Sequence, residues 1–212
     1  MRTWAIVVAA GGGTRFGAAK QFARLGSASV LDRAVGTARA VCDGVVVVLP
    51  ADATWAGASD VQVAVGGSTR SDSVRAGLAL VPEDVDIVIV HDAARPLASR
   101  ALFDLVVQKV EHGADGAVPG VPVSDTVKRV KDGRVVETVP RDGLVAVQTP
   151  QAFRADALRA AHRIGAVDTD DAALVEADGG VVVVVAGERN NLKLTVAEDL
   201  ELAQALLDGV RT

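Results

Sequence analysis

Six short runs of mostly β-branched, apolar residues punctuate the chain, and longer amphipathic stretches separate them. The runs are Trp4–Val8, Val45–Leu49, Val61–Val65, Ile87–Val90, Gly116–Pro119 and Val181–Val185. Most are near-continuous rather than alternating, the pattern of parallel strands covered on both faces. Helical spacing falls at Val30–Val41, Asp72–Val81, Arg100–His112, Ala155–Ile164, Asp171–Ala177 and Val196–Leu207. Strands that alternate with helices predict an α/β fold: a Rossmann-like, doubly wound, mostly parallel sheet. Half of the 212 residues are hydrophobic, enough for one core, so one domain is expected over residues 1–212. One stretch breaks the rhythm. Val127 to Val139 reads as two extended runs around Asp132-Gly133, a strong two-residue hairpin signal. It predicts an inserted β-hairpin arm, spanning about residues 123–147.

Charge and cysteine content narrow the function. The net charge is −5, which argues against a general nucleic-acid surface and confines any polyanion site to a local cluster of cations. Cys42 is the only cysteine, so neither an intramolecular disulfide nor a zinc-ligand spacing is available. The first apolar run is too short for a signal-peptide core, and no long apolar stretch follows. A soluble cytoplasmic protein with no membrane partner is the expectation.

The stretch Ala9-Ala-Gly-Gly-Gly-Thr-Arg-Phe-Gly-Ala-Ala-Lys20 lies directly behind the first run. It fails the Walker pattern, because Ala18-Ala19 follow Gly17 where Lys-Ser/Thr is needed. It fails the dinucleotide fingerprint too, because Phe16 occupies the third glycine position counted from Gly11 and Gly13. What remains is a glycine loop with two long cations, Arg15 and Lys20. Glycines let backbone N–H groups turn toward phosphate oxygens, and the cations add full charges beside a triphosphate. Phosphoryl and nucleotidyl transfers need that alignment and neutralisation more than covalent help. The bland alternative is a turn with two solvated cations.

Other polar clusters follow strand ends. Asp92, in His91-Asp-Ala-Ala-Arg-Pro96, is placed to hold a divalent metal or a ribose, or else to cap a helix. Arg95 suits a phosphate or an ion pair with Asp92, and His91 reads as structural. Gly66-Gly67-Ser-Thr-Arg-Ser-Asp-Ser73 opens a helix; Ser68, Thr69 and Ser71 are candidate caps, and the helix N-terminus favours an anion. Asp168-Thr-Asp-Asp171 reads as a helix start rather than a metal site. Lys193 lies beyond the last apolar run, so two of the chain's five lysines fall at crevice positions.

Taken in order, these pieces resemble one family: Ala9 to Arg15, Lys20-Gln21, Gly67 to Ser73, His91 to Pro96, Ser124-Asp-Thr-Val-Lys128, Pro140-Arg141, Gln148-Thr-Pro-Gln151 and Asn191-Leu-Lys-Leu-Thr195. The family is the 2-C-methyl-D-erythritol 4-phosphate cytidylyltransferases of the non-mevalonate isoprenoid pathway, and the resemblance spans nearly the whole chain. It implies that CTP and methylerythritol phosphate give the CDP-alcohol and pyrophosphate, with Mg2+. It further implies that Arg15, Lys20, Arg141 and Lys193 are catalytic and that Ala9, Ala10, Gly11, Gly12, Gly13, Gly67, Ser73 and Asp92 hold the nucleotide. Asp92 would also meet the metal, and Thr126, Arg141, Thr149 and Lys193 would lie toward the acceptor. The hairpin corresponds to a homodimer arm whose Thr126 and Arg141 reach the other subunit's site. Val8 and Ala19 stand where the family usually has Pro, and Asn190 where it commonly has Asp. A ribitol-5-phosphate cytidylyltransferase and a non-catalytic nucleotide-binding protein are the rival readings.

Overall fold

The computed structural model describes residues 1–11, 19–163 and 170–209. Its strands are β1 (Thr3–Val8), β2 (Arg24–Leu25), β3 (Ala28–Ser29), β4 (Gly44–Leu49), β5 (Gln62–Val65), β6 (Ile87–Asp92), β7 (Gly116–Pro122), β8 (Val127–Lys131), β9 (Arg134–Val139), β10 (Val145–Val147), β11 (Gln151–Arg154) and β12 (Val182–Ala186). Its helices are α1 (Val30–Arg39), α2 (Arg70–Leu78), α3 (Arg100–Glu111), α4 (Ala155–His162), α5 (Asp171–Ala177) and α6 (Glu198–Gly209). All six expected strands and all six expected helices form, with ends shifted by a few residues.

The main sheet is ordered β5-β4-β1-β6-β11-β7, with β12 parallel to β7 on the far side and β10 along the outer half of β7. The pairs β1–β4, β1–β6 and β4–β5 are parallel, as predicted. Two strands run the other way: the short β10 is antiparallel to β7, and β11 runs antiparallel to both β6 and β7 in the middle of the sheet. Gln151-Ala-Phe-Arg154 carries no β-branched residue, so local propensity gave no warning of a central strand. Its place is decided by its neighbours: Ala152 and Phe153 are fully buried between strands and helices. Full burial of a side chain such as Phe153 stabilises by about 1.5–3 kcal/mol.

Side-chain alternation along β1 divides the core. Ala5 and Val7 face α1 and α3, packing with Leu31, Val35, Phe103 and Val106. Trp4 and Ile6 face the other way, toward Val74 and Leu78 of α2 and Leu158 of α4. A sheet buried on both faces needs apolar residues at every position, which explains the continuous runs in the sequence. Three of these helices start on side-chain caps: Ser29 with Asp32 and Thr69 with Asp72 form reciprocal capping boxes, and Ser99 caps α3. Asp170 caps α5, in keeping with a helix start there.

The β8–β9 hairpin stands outside the main sheet, paired only with itself among the described residues. Asp132 and Gly133 turn it with φ of 49° and 74°, the left-handed pair that a tight two-residue turn demands.

Candidate active site

The carboxyl ends of β1 and β6 and the N-terminus of α2 enclose a cleft of about 380 Å³. β1 delivers Val8, Ala9, Ala10 and Gly11; the α2 entry delivers Gly67, Ser68, Thr69, Arg70 and Ser73; β6 delivers Asp92. Open α/β sheets bind ligands at this edge because loops diverge there and helix N-termini point into the gap. Small residues keep it open. A Cβ on Gly66 would sit 2.3 Å from the Ala10 Cβ, and one on Gly67 would sit 2.3 Å from the Asp72 Cβ. A side chain at Gly66 would push this segment away from the stretch after β1, and one at Gly67 would displace it from the first turn of α2.

Among the described residues, three cations reach this cleft from distant parts of the chain. Lys20 begins a short 3-10 turn, Lys20–Phe22, and its Nζ donates to the Leu194 carbonyl at 2.8 Å. Lys193, on the loop after β12, places its Nζ 2.6 Å from Asp92 Oδ2. Arg70 lies between two carboxylates, with its Nε 3.4 Å from Asp92 Oδ1 and an NH1–Asp171 Oδ2 contact of 2.6 Å. Burial by itself would raise the Asp92 pKa; Arg70 and Lys193 outweigh it and hold the carboxyl down at about 2. Asp92 is thus a permanent anion at neutral pH and screens two cations that would otherwise repel. For Arg70 burial pulls toward the neutral form, but Asp171 and Asp92 hold the guanidinium charged.

Behind the cleft is a layer of bonded polar groups. The Thr149 hydroxyl accepts from the Asp92 backbone N–H at 3.0 Å and shares a hydrogen bond of 3.2 Å with His91 Nδ1. Burial lowers the His91 imidazole to about 4, so it is neutral at neutral pH. Gln148 Nε2 donates to the Glu188 carbonyl at 2.8 Å, and Asn191 Nδ2 donates to the Thr149 carbonyl at 2.9 Å. These bonds tie the loop before β11 to the loop that carries Lys193. Arg95 forms no ion pair with Asp92. It donates to the Asn191 carbonyl at 2.7 Å, bracing the same loop.

The expected site residues therefore separate into groups. Ala9, Ala10, Gly11, Lys20, Gly67, Ser73, Asp92 and Lys193 line one cleft. Thr149 sits just behind it, with its hydroxyl occupied by Asp92 and His91. Thr126 and Arg141 are exposed near the root of the hairpin, where Arg141 donates to the Ser124 carbonyl. Gly12, Gly13 and Arg15 lie outside the described residues. From the sequence, the Gly66–Ser73 segment had a capping and an anion-binding reading, but Arg70 had no role of its own. The only local signal is a cation at the first position of a helix, where the dipole disfavours it; the carboxylates that hold it lie far off in sequence. Asp92 is the only carboxylate on the cleft wall, and no cluster of three or more His, Cys, Asp or Glu that could hold a metal ion occurs among the described residues.

Comparison with known proteins agrees with this geometry. The family model described as 2-C-methyl-D-erythritol 4-phosphate cytidylyltransferase (IspD) matches residues 3–209. A protein of that name from Frankia casuarinae is 47% identical, over 97% of this chain and 81% of its own length. A bifunctional enzyme IspD/IspF from Nitratidesulfovibrio vulgaris is 42% identical over 97% of this chain, which spans 58% of that longer relative. The crystal structure of the Thermus thermophilus cytidylyltransferase superposes with a TM-score of 0.84 at 34% identity, covering 96% of this chain and 98% of the other. With the fold and nearly its whole length in common with these proteins, the chain belongs to the 2-C-methyl-D-erythritol 4-phosphate cytidylyltransferase family.

Proposed function

We propose that the cleft transfers a cytidylyl group from CTP to 2-C-methyl-D-erythritol 4-phosphate. The acceptor's phosphate oxygen attacks the α-phosphorus, the bond from that phosphorus to the oxygen bridging the β-phosphorus breaks, and pyrophosphate leaves. The nucleophile is already ionised near neutral pH, so no general base is needed. The observation that carries the proposal is the convergence of Lys20, Lys193, Arg70 and the Ala9–Gly11 backbone on one glycine-lined cleft. An excess of fixed positive charge around an open phosphate-sized space is what a transition state with growing phosphate charge requires.

In this reading Gly67 and Ser73 border the nucleoside end, and Lys20, with Arg15 of the same loop, neutralises the triphosphate. Lys193, held by Asp92, lies on the side where an acceptor phosphate would approach. A magnesium ion fits the residues present: a hard cation is commonly held by one carboxylate plus substrate phosphates, and Asp92 provides that carboxylate. When bound, it would add charge neutralisation on the phosphates. Asp92 could meet it once Lys193, which is half exposed, turns toward substrate.

The remaining parts of the proposal concern assembly and place. The hairpin serves as the arm of a homodimer, bringing Thr126 and Arg141 to the neighbour's acceptor site, with Thr149 backing the acceptor side of its own cleft. No helix among the described residues is long and apolar enough to cross a membrane, which suits work in the cytoplasm. The test is pyrophosphate release from CTP with methylerythritol phosphate, ribitol 5-phosphate or no acceptor. Release with the first alone is expected; release with ribitol 5-phosphate alone, or with no acceptor required, would replace this reading.

A further inference from the structure

The charge network of the cleft does not end at Arg70. Asp171, at the start of α5, is completely buried, and both of its carboxylate oxygens are engaged. Oδ2 meets Arg70 NH1 at 2.6 Å, and Oδ1 lies 3.0 Å from Nε2 of His162. His162 is the last residue of α4, and its side chain is 2% exposed. Because its Nε2 faces a carboxylate, that nitrogen carries the proton and donates. Its other nitrogen, Nδ1, is buried without a partner. A continuous line of contacts therefore runs from His162 through Asp171, Arg70 and Asp92 to Lys193, joining α4, α5, α2, β6 and the last loop.

We propose that His162 is a positioning residue for the nucleotide site, acting through Asp171 on Arg70. A carboxylate that bonds Arg70 through one oxygen can still swing about its own side-chain torsions. A donor on the second oxygen removes that freedom and sets the direction in which the guanidinium is held. Arg70 has a second contact, the longer one to Asp92, so its orientation decides how much of the Asp92 charge remains for Lys193 and for a metal. An apolar residue would fill the space of His162 at lower desolvation cost, so the buried imidazole is understood best by the hydrogen bond it makes.

This inference rests on the cytidylyltransferase reading, and the experiment separates the two. Wild-type turnover with CTP and methylerythritol phosphate is measured first; its absence would count against the reaction. His162 is then tested by CTP binding in calorimetry, which needs no acceptor, alongside KM and kcat. In His162→Leu, which keeps packing volume but removes the donor, the Kd and KM for CTP should rise about tenfold, the scale of one lost hydrogen bond to a charged group. The kcat should fall less. His162→Gln, whose amide reaches the Nε2 position, should stay within about threefold of wild type, and the shorter His162→Asn should resemble Leu. Adding His162→Leu to Asp171→Asn should cost little beyond Asp171→Asn alone, since the histidine would act through that carboxylate. A Kd for CTP unchanged in His162→Leu, even with a lower melting temperature, would overturn the proposal, as would additive costs in the double variant. If the Leu variant does not fold, the order of Gln and Asn decides: Asn binding CTP as well as or better than Gln overturns it.

Discussion

Asp92 in the cleft and Arg141 near the arm are both charged residues that the sequence marks for function, yet their surroundings are opposite. The Asp92 side chain is 12% exposed, with Lys193 on one oxygen, Arg70 on the other and the Thr149 hydroxyl on its backbone N–H. Arg141 is exposed, and it donates to the carbonyl of Ser124 in the segment between β7 and β8 that leads into the hairpin. Val130, Val135 and Val136 of the same hairpin are each more than half exposed. The cleft is thus organised by contacts within one chain. The arm has exposed apolar surface and an exposed cation, and full burial of each valine would contribute about 1.5–3 kcal/mol. A twofold pairing of arms offers that surface through a self-complementary interface.

The comparison breaks most visibly at the cations. Lys20→Ala should lower kcat/KM by on the order of 10²-fold or more with the fold intact by circular dichroism, because Lys20 would act on transition-state charge. A near-normal rate would remove Lys20 from the chemistry. Arg141→Ala should lower the use of methylerythritol phosphate by a similar order while CTP binding in calorimetry stays near wild type. Mixing the two inactive variants should then restore activity, because one site of a mixed dimer receives both intact residues. Continued inactivity after verified subunit exchange would mean that Arg141 does not cross between subunits.

A smaller effect probes the arm's apolar face. Val136→Asp should shift the protein toward monomer in light scattering while its isolated CTP affinity changes by less than about threefold, since the cleft is organised within the chain. An unchanged dimer would place the interface elsewhere.

The layer behind the cleft should reveal itself through pH. Burial depresses His91 from 6.5 to about 4, so the unfolded chain binds more protons between those values. Stability is therefore full above about pH 6.5 and is lost as pH falls toward 4, by roughly 3 kcal/mol in all. Asp92, held near 2, contributes stability that is present above the ordinary carboxylate range and fades only on further acidification. Urea unfolding at stepped pH measures the first window, and His91→Gln should flatten it. A slope that survives this substitution would assign the acid sensitivity to another group. The smallest change belongs to the arm: Gly133→Ala at φ 74° should cost about 1 kcal/mol or less, local to the hairpin, with little change in melting temperature.

The division between sequence and structure follows the range of each interaction. Apolar runs, caps and the Asp132-Gly133 turn depend on neighbours within a few residues, so sequence alone determined the six expected strands, the helices, the parallel core and the hairpin. The glycine loop, Asp92, Lys20 and Lys193 were legible as candidates because chemistry follows strand ends in such a sheet. Only the tertiary structure decided that β11 enters the centre of the sheet against its neighbours' direction, because that short segment is held by β6 and β7 rather than by its own propensity. The same holds for Arg95, which braces a loop carbonyl, and for Arg70, whose two carboxylate partners lie 22 and 101 residues away in sequence. Ion pairs and buried hydrogen bonds act over a few ångströms, and only folding brings such distant residues within that range.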